Sequence, residues 1–256
     1  MTIQYVKKME AKWRKNVGET LSRVKDELEF RDVLKKRGCE PIDDGCMDAG
    51  TWCNSGGMRI LWLMKEHNEE PKQYGNTAAS FGVEEDRLRI FWDLHTDPEG
   101  FAKNVNKFRS LKMIERASRG ILEENDSIDA RADASASAVD TFKHLAILEV
   151  GKTAGRNRTT DRDLRQLCKM WGKIVLGQIK DYKPDVVIVA GKQFEMLYDN
   201  VKDEQCKGHF PQNNNIVDLW KIDGMRIIHA DHPSYLRVSR GDYVRGIVEA
   251  ALAPIR

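Results

Sequence analysis

The segment DHPSYLRVSRG, residues 231–241, follows the apolar run 225–230 and combines an imidazole, hydroxyls, a phenol ring, an aliphatic side chain and two guanidinium groups. Pro233 holds His232 extended and keeps a helix from starting there, so the imidazole is presented at a strand end. A hydroxyl, an aromatic ring, a bare leucine and two arginines suit neither a core nor an ordinary solvated loop, and fit a partner that is charged and can be stacked upon. MKEHNEEP, residues 64–71, places Glu66 and His67 just past another apolar run. A carboxylate there can orient a water or simply sit on a solvated turn. EVGKTAGRNRTTDR, residues 149–162, ends a third run with Glu149 and then crowds Lys152, Arg156 and Arg158 into a Gly- and Thr-rich stretch. That composition fits a phosphate backbone and an ordinary basic loop equally well. Gly191-Lys192 opens a helical segment and gives a weaker anion signal, because strand-Gly-helix turns are common.

Four continuous apolar runs, 58–64, 144–150, 185–191 and 225–230, must position these groups. Continuous rather than alternating runs suit parallel strands covered on both faces. Between and after them lie helical patterns. Over 160–181, Leu164, Leu167, Cys168, Trp171, Val175 and Ile179 share one stripe, and a second pattern covers 241–253. The expected architecture is α/β, a three-layer α/β/α sandwich around a central four-stranded parallel sheet. Ligands of such sheets sit beyond the carboxyl ends of the strands, which directs attention to loops 65–75, 151–160, 191–195 and 231–241. Residues 1–37 read as one or two amphipathic helices stopped at Gly38, and residues 1–54 as a helical extension to a domain spanning 55–256. The small, polar stretch 123–138 reads as a loop.

Bulk composition narrows the function less than these loops do. Lys and Arg total 42 against 40 Asp and Glu, so any affinity for nucleic acid must come from local clustering. Five cysteines without CxxC spacing, and no apolar leader, fit a reducing cytoplasm. No apolar run approaches the roughly 20 residues that span a bilayer. Cys206 with His209, and His229 with His232, fall short of the four ligands of a closed zinc site, so neither a metal nor a cofactor is expected. The chain is expected to act as a monomer.

In the register of HPSYLRVSRGDY the chain resembles the uracil-DNA glycosylase superfamily, whose last motif reads HPSPLSxxRGF. His232, Pro233, Ser234, Leu236, Arg240 and Gly241 match it. The first family motif, G-x-D-P or G-x-N-P, corresponds to MKEH, with Met64 for the glycine and His67 for the proline; Glu66 or Lys65 then falls at the water-positioning site. At the family's second strand end an Asn reads the pyrimidine edge, and here Glu149-Val150-Gly151-Lys152 occupies that place. The resemblance spans about residues 55–256, with nothing aligned over 68–143. Some relatives hold an iron-sulfur cluster, but Thr153 stands where a second Cys would follow the Lys, which leaves Cys168 as a core residue.

The resemblance implies a DNA glycosylase that flips a pyrimidine nucleotide and hydrolyses its N-glycosidic bond, leaving an abasic site. It assigns the water to Glu66, the departing base to His232, base recognition to Glu149 and His67, and the gap left in the duplex to Leu236. Lys152, Arg156, Arg158, Lys192, Ser234, Tyr235, Arg237 and Arg240 would hold DNA, and Tyr74, Phe81 or Trp92 would stack on the base. An ionised Glu149 only accepts hydrogen bonds, so cytosine with its N4 amino group fits better than uracil. A modified cytosine, such as the hydroxymethylated or glucosylated bases of some bacteriophage genomes, spares the host and suggests anti-phage defence. Two other readings stay open: a uracil-repair glycosylase, and a DNA-binding module without catalysis.

Overall fold

The computed structural model describes residues 1–24, 27–30, 44–54, 56–65, 94–153, 159–198, 217–222, 224–234 and 236–254. Along the chain run α1 (Ile3–Val24), β1 (Gly45–Cys46), α2 (Ala49–Asn54), β2 (Ile60–Met64), α3 (Pro98–Lys107), α4 (Arg109–Leu122), α5 (Ser135–Lys143) and β3 (Leu145–Glu149). There follow α6 (Asp161–Tyr182), β4 (Val186–Ala190), α7 (Gln193–Tyr198), β5 (Val217–Ile222), β6 (Met225–Ala230) and α8 (Arg240–Leu252). One sheet has the order β1-β3-β2-β4-β6-β5. The four apolar runs are β2, β3, β4 and β6, and each pairs in parallel with its neighbour. The sheet itself is six-stranded and mixed, not four-stranded, because β1 and β5 add antiparallel edges. β1, at two residues, is too short to leave a pattern. In β5, buried Val217 and Leu219 alternate with more exposed Asp218 and Trp220, the pattern of an edge with one covered face.

Strand register sorts the side chains onto two faces. Trp62, Ile147, Ile188 and Ile228 are level with one another and enter one core, packed by residues of α3, α4, α5 and α8. Leu61, Ala146, Val187 and Ile227 are level on the opposite face, where residues of α1, α2, α6 and α7 form a second core. Helices therefore cover both faces of the sheet. The α6 stripe lies in the second core, with Cys168 buried among apolar neighbours. Burial raises the pKa of that thiol to about 12, so it behaves as a small hydrophobe.

α1, placed by the sequence in an N-terminal extension, contributes Val6, Met9, Val17 and Val24 to the second core. The Trp13 ring lies where a Cβ on Gly177 would stand, and its Nε1 donates to Asp181 at 3.0 Å. Residues 135–138, expected within a loop, instead open α5. Asp133 accepts the Ser135 N–H at 2.7 Å, and burial of Ala138 and Phe142 then gives the Ala-rich segment a helical face. No described helix is long and apolar enough to cross a membrane.

Candidate functional site

Met64, Glu149, Ala190 and Ala230 end the four parallel strands at nearly one level. Because β2 lies between β3 and β4, the chain leaves β2 to one side and later to the other, which creates a crevice at the carboxyl ends. Behind the strand ends Gln193 is fully buried, and its Nε2 donates to the carbonyls of Leu63 at 3.1 Å and Ala190 at 2.7 Å. Gly191 makes the turn between β4 and α7 at φ +114°, a conformation that strains residues with a Cβ. The Cβ of His232 lies just beyond that turn, 3.9 Å from the site a Gly191 Cβ would occupy.

His232 follows β6 by two residues and is partly buried. Its Nδ1 accepts the Ser234 N–H at 3.2 Å, so in the neutral ring the proton resides on Nε2. Burial, followed by the charge of Lys65, pushes the imidazole pKa down to about 4. Near neutral pH the ring is therefore uncharged, with Nε2–H as its donor. Lys65, immediately beyond β2, donates from Nζ to the carbonyl of Thr159 at 3.2 Å. The HPS tripeptide thus fixes its own tautomer: Pro233 turns the chain so that the next amide meets the ring.

Glu149 is largely buried at the end of β3, on the same sheet face as Met64. Its backbone N–H donates to Asp44 Oδ2 at 2.7 Å. The same oxygen is paired with Lys152 Nζ, and Asp44 Oδ1 accepts from Gln178 Nε2 at 3.4 Å. Lys152, expected among the DNA-binding residues, is fully buried, with its ammonium paired to Asp44 inside the protein. Sequence reasoning missed Asp44. Its only signal was an acidic pair, Asp43-Asp44, ahead of a glycine, and nothing in that pattern points to a lysine 108 residues away.

Loop 231–241 is braced from within. Arg237 forms a two-pronged pair with Asp231, Nε to Oδ2 at 2.9 Å and Nη2 to Oδ1 at 2.8 Å. Tyr243 of α8 donates its hydroxyl to the Asp231 carbonyl at 2.9 Å. Asp231, assigned no role from sequence, therefore closes the arch that carries Ser234 and Leu236. Leu236 is partly buried against the first core, and Arg240 is exposed at the start of α8. Lys192 is exposed and pairs with Asp161 at 2.6 Å. The helix following it, α7, has six residues.

The structure thus brings together His232, Glu149, Lys65 and Gln193 at the strand ends, with Ser234, Leu236, Arg237 and Arg240 on the adjoining loop. Glu66, His67, Tyr74, Phe81, Trp92, Arg156, Arg158 and Tyr235 lie outside the described residues. No protein-family model and no curated protein matches the chain.

Proposed function

We propose that the protein is a DNA glycosylase that extrudes a pyrimidine nucleotide into the crevice at the carboxyl end of the sheet and hydrolyses its N-glycosidic bond. The observation that carries this reading is the state of His232: a histidine held neutral at a strand end, its Nδ1 occupied by the Ser234 N–H. When the bond from C1′ to the base breaks, its electron pair leaves with the base and negative charge develops on the ring, including the carbonyl oxygen O2. A fixed Nε2–H suits that developing charge, and a neutral imidazole supplies it without first having to lose a proton. Water adds to C1′, and in this reading Glu66 orients it. Lys65 places a positive charge near the same departing base.

The parallel strands β3, β2, β4 and β6, with the histidine after the last of them, support a glycosylase-like core within the six-stranded sheet. Glu149 supports a cytosine-type base, because its carboxylate can accept the N4 amino group but offers uracil O4 no donor when ionised. Its backbone is held by Asp44, so the strand end is fixed before any substrate arrives. We take a modified cytosine, hydroxymethylated or glucosylated as in some bacteriophage genomes, as the substrate, with defence against phage as the role.

The test is a panel of oligonucleotides carrying uracil, cytosine, 5-hydroxymethylcytosine or glucosylated hydroxymethylcytosine, scored for alkali-labile breaks. Wild type is expected to release a modified cytosine, and Glu149→Asn to shift release toward uracil. Efficient uracil release by wild type, unaffected by the substitution, overturns the base assignment. Tight DNA binding without release of any base points to a binding module.

A further inference from the structure

A cleft of about 600 Å3 opens beside the start of α8, walled by residues 128–131 on one side and by Ser239, Arg240 and Gly241 on the other. Arg131 and Arg240 both line it, and among the described residues neither guanidinium makes a hydrogen bond or an ion pair. Arg237, by contrast, is committed to Asp231. Among the described residues one carboxylate lines the cleft, that of Asp129, and its Oδ1 already accepts the Arg131 N–H at 2.8 Å. The amide end of α8 is likewise occupied, since Ser239 Oγ accepts from Asp242 N at 3.1 Å and donates to Asp242 Oδ2 at 2.6 Å. The anion-binding capacity of the cleft therefore rests on its two arginines.

The outer wall is held in place from behind. Arg116, fully buried beside Glu115, donates from Nη2 to the Ala132 carbonyl at 2.7 Å. Lys112 Nζ donates to the Arg131 carbonyl at 3.3 Å, and Asn106 Oδ1 accepts the Ala134 N–H at 3.3 Å. Among the described residues no aromatic side chain lines the cleft, whereas paired guanidinium forks match phosphate oxygens.

We propose that this cleft holds the sugar–phosphate backbone of the DNA strand beside loop 231–241, with Arg131 and Arg240 on neighbouring phosphates. The inference rests on DNA being the substrate, as proposed above, and adds to that reading a second wall from a segment with no part in the sequence motif. Binding of an unmodified duplex should be measured across a salt series for wild type, Arg131→Gln, Arg240→Gln, the double variant, and Arg23→Gln on α1 as a control. Each cleft substitution is expected to reduce the slope of log affinity against log salt by about one. The double variant should lose about two, the control nothing, and millimolar inorganic phosphate should compete with wild type only weakly. A wild-type slope in Arg131→Gln overturns the cleft, even if the protein releases a base normally. Reduced slopes in both cleft variants support it, even if no base in the panel is released. Full competition by inorganic phosphate assigns the arginines to a free anion and overturns the backbone reading.

Discussion

The ends of β3 and β6 lie at one level of one sheet, yet their charges are handled in opposite ways. At β3 the carboxylate of Asp44 meets the ammonium of Lys152 and the carboxamide N–H of Gln178 in the interior. At β6 the histidine that follows the strand, His232, is held uncharged by burial and then by the charge of Lys65 beyond β2, while Asp231, Arg237 and Arg240 stand on the following loop. A buried ion pair fixes a backbone but has little left to offer a ligand, because desolvation has already consumed most of its Coulombic attraction. A neutral ring with a defined donor is ready for a charge that has yet to form. On this comparison β3 is the rigid reference and, in the mechanism proposed above, β6 the reactive end.

The largest expected effect is at the reactive end. His232→Ala should lower single-turnover base release about 10²- to 10³-fold, the range for loss of one donor to a developing charge, while DNA affinity changes little. Glu66→Gln should be comparably costly. Unchanged rates in both variants would remove the mechanism.

At the rigid end, Lys152→Met should cost about 3–5 kcal/mol of stability, because it strands a buried carboxylate. Urea unfolding measures this. Asp44→Asn combined with Lys152→Met should recover much of the loss, since neither partner is then an unpaired charge. Equal losses in the single and double variants would show that the ion pair is not the brace.

A subtler contrast is in pH. The His232 pKa is about 4 in the folded protein, below the ordinary 6.5, so the unfolded chain binds the proton more readily. The stability gained by keeping the ring neutral is therefore complete above about pH 6.5 and is lost as pH falls toward 4. Stability of wild type minus that of His232→Ala should decline over that window. A flat difference would contradict a buried neutral ring.

The smallest effect belongs to Leu236. As a wedge it has to leave its partial contact with the first core, so Leu236→Ala should slow release several-fold on a paired target and less on a mispaired one. Equal defects on both targets would exclude the wedge.

Much of this arrangement could be read from residue patterns. The four continuous apolar runs are the four parallel strands, and the α6 stripe packs as its spacing predicts, because burial on both faces and helical periodicity are properties of short stretches. β5 carries a sequence signal as well: VDLWKI is followed by Asp223-Gly224, a hairpin turn pair.

The sequence by itself determined which residue types stand at the strand ends, and that His232, followed by Pro233, is presented there rather than inside a helix. Only the tertiary structure decided their states. It buried Lys152 against an aspartate from the far side of the chain, spent Arg237 on Asp231, and left Arg131 and Arg240 facing one cleft. Local pattern fixes local geometry, but whether a charge is free or neutralised depends on which distant groups share its volume, since electrostatic attraction in a desolvated interior acts through space rather than along the chain.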